Sequence, residues 1–516
     1  MAPSKPTSAP RAQGKIRALT DLAATLAPLR RGRRIVHCHG VFDLLHIGHI
    51  RHFQAARRFG DLLVVTVTPD RFVNKGPHRP VFNEVLRAEA VAALDCVDFV
   101  AINGWPTAVE AIRLLKPHFY VKGSEYSDVS RDVTRGIVAE REAAAAVGGK
   151  LVFTDDIVFS STNLINRHLP TFSDETREFL AAFGRRHSLA DVVRPLQEAK
   201  RLKVLTVGET IVDEYSYCEA IGKSSKEPTL VVKQLNRERF AGGVLAVANH
   251  VADFCGRTGL VSFLGSVHPQ EDFIRSKLKP GVRANFLYRK DAPTIVKRRY
   301  VDQYFFTKLL EVYEIDDNLM PEADERRLCS WLERELPKYD VVIVADYGHG
   351  MLGDKAIDLL CRKSRFLAVN AQSNAGNIGY HTVSRYRRAD LACLAENEVR
   401  LESRDRRGDL RGLLERLSRR MGLRKIIATR GKHGCLCYDR GAGFTEIPSF
   451  ASAVVDRVGA GDTFLALASL CLANRAPMEI AAFVGNTAAA EAVATVCNRS
   501  FVGKAALLKH IESLLK

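Results

Sequence analysis

The run HGVFDLLHIGHIRHF, residues 39 to 53, sets two imidazoles three residues apart, His46 and His49, on either side of Gly48. A strand-like run (RIVHCH, 34–39) precedes them, and a helix-like run (HIRHFQAARRF) follows with Ile50, Phe53 and Ala56 on one face. In open α/β sheets, ligands sit at the carboxyl ends of strands, where the next helix offers free N–H groups and its positive dipole end to anions. Residues three apart at a helix start project to one side, and glycine lets a phosphate approach the backbone. Two imidazole donors placed there suit stabilisation of charge on an α-phosphate as pyrophosphate leaves, by electrostatics without a covalent intermediate.

A second constellation is DRVGAGDTF, 456–464. Gly459, Ala460 and Gly461 leave bare N–H groups at a helix start, a cradle for a transferring phosphoryl group. Asp462 follows, placed to accept a proton from a substrate hydroxyl.

The elements that must position these groups alternate. DLLVVTVT (61–68), CVDFVAI and FYVKG read as strands, NEVLRAEAVAAL (83–94) as a helix capped by Asn83, and PTAVEAIRLL as a helix with proline at its first position. A further helix and LVFTD complete a βαβ series, which implies a parallel sheet covered on both faces. The polar, helical segment 171–201 suits a connector. KVLTVGE (203–209) opens a second alternating series, interrupted by TLVVKQL and TIVKRRYVDQYFFTKLLEVYEI, which read as strands outside the main sheet. The fold class expected is α/β with two doubly wound parallel-sheet domains, the second carrying a small β lid. Boundaries fall at a disordered tail 1–16, a first domain 17–170, a helical linker 171–201 and a second domain 202–516.

The 516 residues exceed what one core usually serves. No apolar run approaches the roughly 20 residues of a membrane helix, and the Pro/Ser/Lys-rich start lacks the apolar core of a secretion signal, so a cytoplasmic protein is expected. Eleven cysteines without a C-x-x-C pair argue against a zinc site or a disulfide framework. The net charge of +17 attracts polyanions in general. Its basic runs (RRGRR at 30–34, KRRY at 297–300, RDRRGDLR at 404–411) lack interleaved aromatics and read as solvated surface, so nucleic acid is not the expected partner.

G-x-F-D-x-x-H-x-G-H after a strand resembles the signature of the cytidylyltransferase-like nucleotidyltransferases. Further segments fit in order: NKGPHRPVF with Lys75 and Arg79, Arg87 on the next helix, VKGSEYS with Lys122, and FSSTNLI with Ser160, Ser161 and Thr162. The resemblance implies that Gly40, Phe42 and Asp43 shape a nucleotide pocket and that Lys122 meets phosphate. It also implies that the SST turn caps a helix facing the nucleotide and that Arg79 and Arg87 serve the substrate. Class I aminoacyl-tRNA synthetases share a similar histidine motif, but no K-M-S-K-S-like loop occurs.

G-A-G-D with upstream Asp456 resembles the ribokinase-like (PfkB) sugar kinases over nearly all of 201–516. That resemblance places Asp213 and the glycine pair Gly242 and Gly243 at the sugar, and Gly431, Gly434 and Asn486 at the ATP site. Together the halves resemble the bifunctional heptose kinase/adenylyltransferases with the domain order reversed. EPTLVVK and PTIVKRRYVD look like their kinase half in particular. Four departures stand out: Ala246 for asparagine, with Asn249 a turn later as a substitute; Asn370, Ala371 and Gln372 for D-P-K; Arg400 for the glutamate of N-x-x-E; and His349 for lysine. They point to an altered acceptor or to a kinase fold without turnover.

The resemblance thus implies a Mg2+-dependent enzyme of nucleotide-sugar synthesis. It would use ATP, with CTP the alternative in the first domain, and sugars or sugar phosphates as partners; a homo-oligomer is compatible with it. Competing readings are a glycerol-3-phosphate-type cytidylyltransferase fused to an unrelated kinase, and a nucleotide- or RNA-binding protein without turnover.

Overall fold

A computed structural model describes residues 13–73, 79–124, 136–154 and 172–516. The chain divides into two compact units, Met1–Ser173 with Leu508–Lys516, and Asp174–Leu507.

In the first unit, short runs of Val, Ile and Leu form β1 (Ile35–Gly40), β2 (Leu62–Val67), β3 (Phe99–Ile102), β4 (Phe119–Gly123) and β5 (Lys150–Thr154). All pair in parallel in the order β3-β2-β1-β4-β5. β2 is buried on both faces, as a parallel strand between helical layers must be. The helices are α1 (Leu19–Leu29), α2 (Ile47–Arg57), α3 (Glu84–Ala92), α4 (Val109–Leu115) and α5 (Gly136–Ala146). Phe53 and Ala56 of α2 pack into the core with Val36, Val65 and Val91. Asn83 caps α3 as expected, its side chain accepting from the N–H groups of Val85 and Leu86. The strand order reverses between β1 and β4, so a crevice is expected at the carboxyl ends of these two strands.

Three expectations need correction. Gln13–Lys15 form a turn and Ile16 pairs with Val100, so ordered structure begins inside the expected tail. Helix α1, unforeseen, buries Leu19, Leu22 and Leu26, a helical spacing legible in the sequence. Pro106 lies before α4 and not at its first position, because Asn103 holds the carbonyls of Trp105 and Thr107 and keeps that stretch in a loop.

The second unit is built on a sheet of nine strands among the described residues. These are β6 (Lys203–Gly208), β9 (Arg257–Val267), β10 (Val282–Pro293), β13 (Val341–Asp346), β14 (Phe366–Ala371), β15 (Leu391–Ala395), β16 (Lys425–Thr429), β17 (Cys435–Asp439) and β18 (Gly443–Ile447). Their order is β10-β9-β6-β13-β14-β15-β16-β17-β18, parallel except for the antiparallel β17 and β18. The order reverses between β6 and β13, which meet so closely that a Cβ at Gly208 would lie 2.0 Å from the Ala345 carbonyl oxygen. A separate sheet, β12-β11-β7-β8, forms from β7 (Thr210–Lys223), β8 (Leu230–Gly243), β11 (Ile295–Asp302) and β12 (Lys308–Glu314). The sequence set β8, β11 and β12 outside the main sheet; β7, which joins them, was not foreseen there.

The expected connector folds onto this unit. In the helix Asp174–Arg186, Phe183 is buried and stacks on Phe483 at 4.2 Å between ring centroids; in Leu189–Glu198, Leu196 is buried. The polar residues of 171–201 drew attention from this apolar stripe.

Candidate active sites

Between β1 and α2 the chain turns through Phe42 (φ 52°) and Leu44 (φ 47°), conformations that non-glycine residues rarely adopt. Such turns persist only when their surroundings over-determine them. Here the Phe42 ring lies edge-on to Phe53 and His49, at centroid distances of 4.8 and 5.5 Å. Its far edge approaches Gly40 so closely that a Cβ there would sit 2.9 Å from Cζ. Asp43 is buried and accepts the N–H groups of Val81 (2.9 Å) and Phe82 (3.2 Å), tying this turn to the segment before α3. Arg87 tightens the same knot. Its guanidinium donates to the carbonyls of Val41, Thr68 and Phe82 and to Asp70, and the side chain is 1% exposed. The protein itself therefore engages the Arg87 donors, where the sequence had assigned them to substrate. Arg79, half-buried, lies within electrostatic reach of Asp43.

His46 is the N-cap of α2. Its Nδ1 accepts the Gly48 N–H at 3.1 Å, so in the neutral ring the hydrogen is on Nε2. Burial holds its pKa below the usual histidine value, which keeps the ring neutral at pH 7. The His49 ring stacks on it, with centroids 4.0 Å apart and planes at 25°. The paired imidazoles thus lie together at a helix start beside the β1 terminus. Lys122, near the end of the neighbouring β4, bonds the His39 carbonyl oxygen at 3.4 Å and pairs with Glu140 at 3.2 Å. On β1, the rings of His37 and His39 share the Thr66 hydroxyl, a buried polar link that the sequence did not single out. Ser160, Ser161, Thr162 and Lys75 lie outside the described residues.

In the second unit Gly459 caps the helix Ala460–Ala473 in a left-handed conformation (φ 87°), and a Cβ there would come 2.4 Å from Asn498 Oδ1. Around Gly461 the Cβ direction is open, and the first-turn amides have no intrahelical acceptor. Upstream Asp456 is a structural anchor: it accepts from Tyr215, Lys308 and the amides of Val458 and Cys497. Asp462 faces the carboxyl end of β13, where Tyr347 donates its phenol to Oδ1 at 2.7 Å. Burial pushes the Asp462 pKa up to about 7 against the opposing pull of Tyr347 and Lys297, with Asp213 and Glu398 adding to the rise.

Asp213 on β7 is 4% exposed and ion-paired with Arg299 on β11. Gly242 lies so near on β8 that a Cβ there would fall 1.9 Å from Asp213 Oδ2, and Gly243 (φ 59°) turns the chain into the helix Val244–Ala252. Lys297 and Arg299 are each 7% exposed, which corrects the reading of KRRY as solvated surface. On a strand, residues two apart share a face. Lys297 lies over the rings of Tyr313 and Tyr347 at 5.1 and 5.8 Å, and burial lowers its pKa. The alternation in TIVKRRYVD was the signal available in the sequence.

The departures are also placed. Ala246 is buried; Asn249 does not substitute, since its amide bonds the Lys277 carbonyl and the Lys279 N–H. Asn370 donates to the Cys393 carbonyl, and Arg400 pairs with Glu396 and the Gly408 carbonyl. His349 is buried, its N–H donated to Glu209, while Nε2 meets no hydrogen-bond partner; burial and then Lys297 push its pKa down to about 3. Gly434 (φ 74°) lies where a Cβ would be 1.9 Å from the Ile447 carbonyl oxygen, Gly431 (φ 56°) has open space, and Asn486 donates to the Pro448 carbonyl. Tyr347, Glu209, Lys297 and Arg299 were not foreseen as site residues.

Residues 37–167 match the family model described as cytidylyltransferase-like, and residues 352–499 that of the pfkB family carbohydrate kinases. The chain carries both domain types, the transferase first. Curated relatives include the bifunctional protein HldE of Geotalea uraniireducens, 41% identical over 31% of this chain and 32% of that protein. That of Trichlorobacter lovleyi is 39% identical over 28% and 29%. The chain thus spans about a third of the length of the curated relatives it matches. Among solved structures, phosphofructokinase-2 from Escherichia coli aligns at a TM-score of 0.49 with 14% identity, covering 61% of this chain and 100% of that one. No helix among the described residues is long and apolar enough to cross a membrane.

Proposed function

We propose that the chain is a bifunctional enzyme of nucleotide-sugar synthesis. In the first unit a phosphate oxygen of a sugar phosphate, of the heptose 1-phosphate kind, attacks the α-phosphorus of a nucleoside triphosphate. The bond to the bridging oxygen breaks and pyrophosphate leaves with its electron pair. The N–H groups of His46 and His49 and the ammonium of Lys122 meet the charge that develops. ATP is the expected nucleotide and CTP the alternative.

In the second unit a hydroxyl of a sugar or sugar phosphate attacks the γ-phosphorus of ATP. Asp462 takes the hydroxyl proton, the helix-start amides of Gly461 and Asp462 hold the transferring group, and ADP leaves. Asp213, aligned by Arg299, accepts from another sugar hydroxyl.

Magnesium does not fit a protein-built cage here. Among the described residues no group of three histidines, cysteines or carboxylates could hold an ion, and both Glu398 oxygens already accept amides, from Ala395 and Ser373. The ion would enter on the nucleotide phosphates, as Mg2+ commonly does. A site in the cytoplasm, where nucleoside triphosphates are made, suits both reactions.

The observation that carries this reading is the pair of helix starts, each beside the point where its own sheet reverses order, one bearing stacked imidazoles and the other a carboxylate. The test is a panel of sugars and sugar phosphates with ATP or CTP, reading pyrophosphate and ADP separately. His49→Ala should abolish pyrophosphate release alone and Asp462→Asn ADP formation alone; a variant that leaves both signals intact refutes its assignment.

A further inference from the structure

Tyr347 follows β13 at the reversal of the second sheet, and its backbone is held from three sides. Its N–H donates to Glu209 Oε2 at 3.0 Å, and its carbonyl accepts the side-chain amides of Asn374 (2.7 Å) and Asn377 (3.0 Å). The other Glu209 oxygen takes the His349 N–H at 3.1 Å, so one buried carboxyl clamps both ends of the turn 347–349. Between them Gly348 (φ 67°) has no room for a side chain: a Cβ would lie 2.4 Å from Asn377 Nδ2 and 2.6 Å from His381 Cγ. All of this fixes the direction of one phenol, 5% exposed, whose hydroxyl reaches Asp462.

We propose that Tyr347 is a positioning residue for phosphoryl transfer: its hydroxyl orients the Asp462 carboxylate toward the acceptor and stabilises that carboxylate in its ionised form. The proposal rests on the kinase reading above. A residue needed only for packing could be phenylalanine, since the ring already fills the space; the hydroxyl adds a donor to the group that must accept a proton.

The surroundings of Asp462 make that donor consequential. Asp213 on β7 and Glu398 at the start of the helix Glu396–Ser403 oppose its ionisation, and the Cys393 thiol on β15 lies in the same field. Lys297 on β11 favours ionisation. The phenol itself stays protonated, because burial, Asp462, Asp213 and Glu209 all push its ionisation well above the ordinary tyrosine range. Tyr347 is therefore a donor throughout the working pH range, and removing it takes a hydrogen bond from the charged form of the base, which raises its proton affinity.

The experiment uses the full chain with 13C at the aspartate carboxyl carbons, the Asp462 signal being identified by its loss in Asp462→Asn. In the parent its titration midpoint and the acid limb of kcat/KM for ADP formation should coincide near pH 7. In Tyr347→Phe both should move up by about one pH unit, the scale of one charge-assisted hydrogen bond, so ADP formation at pH 6.5 falls several-fold while that at pH 9 stays near the parent value. Urea titration followed by Trp331 fluorescence, in a Trp105→Phe background, reports that the second unit of the variant is folded. An unmoved midpoint, or a rate lowered equally at every pH, overturns the proposal. A parent that forms no ADP from any acceptor refutes the kinase reading, and the role of Tyr347 with it, wherever the midpoint lies.

Discussion

Gly242→Ala should disable the acceptor side of the second unit through a single methyl group. The backbone at Gly242 is not in a left-handed conformation, so alanine is permitted there. Its Cβ would stand 1.9 Å from Asp213 Oδ2 and 3.0 Å from Cγ. Restoring an ordinary contact requires the carboxylate to retreat by roughly 1.5 Å, since non-bonded carbon contacts settle near 3.5 Å. Asp213 is ion-paired with Arg299 on the adjacent strand, and a retreat of that size breaks the bond. Losing a hydrogen bond between charged partners costs about 1.5–3 kcal/mol, and about 5 kcal/mol bounds the loss of a buried pair. Urea titration followed by Trp331 fluorescence, in a Trp105→Phe background, reads the second unit alone, because the chain has two tryptophans. The decisive control is a double-mutant cycle: with Asp213→Ala already present, the methyl group meets no carboxylate and Gly242→Ala should cost within about 0.5 kcal/mol of nothing. An equal cost in both backgrounds would show that the clash does not operate through Asp213.

Two other substitutions probe the remaining scaffolding. Arg87→Lys should destabilise the first unit by about 2–4 kcal/mol and reduce pyrophosphate release, because one ammonium cannot serve the four acceptors that the guanidinium reaches; Trp105 fluorescence in a Trp331→Phe background measures the first effect. Gly434→Ala should cost clearly more than Gly431→Ala in the Trp331 assay: both have positive φ, which alanine adopts at a cost of at least about 1–2 kcal/mol, but only position 434 also drives a methyl group into the Ile447 carbonyl. Equal costs at the two glycines would count against the close approach.

The alternation of strands and helices, the capping by Asn83 and the helix starts after His46 and Gly459 were legible in the sequence, because each is a local pattern: a hydrophobic period, a short polar side chain before a helix, or small residues in a row. What escaped has a common physical cause. Lys297 and Arg299 were read as solvated because a basic run looks alike on a surface and on a strand whose alternate residues face inward; only pairing with β7 settles which. Glu209 follows β6 and Tyr347 follows β13, 138 residues apart, and no spacing within either segment announces that they meet. Arg87 was assigned to substrate through the family resemblance, whereas its donors meet the carbonyls of Val41, Thr68 and Phe82 and the Asp70 carboxylate. Asn249 was offered as a replacement contact on proximity in sequence, although its amide belongs to the loop at Lys277.

Each of the two main sheets reverses its strand order once, and a helix start that carries candidate groups lies beside that point, joined in the second unit by Asp213 and Arg299 from the separate four-stranded sheet. Each candidate site is described within one unit: His46, His49 and Lys122 in Met1–Ser173, and Asp213, Tyr347 and Asp462 in Asp174–Leu507. A substitution in one unit is therefore expected to leave the candidate groups of the other in place, and each unit carries one tryptophan, Trp105 or Trp331, by which its stability can be followed separately.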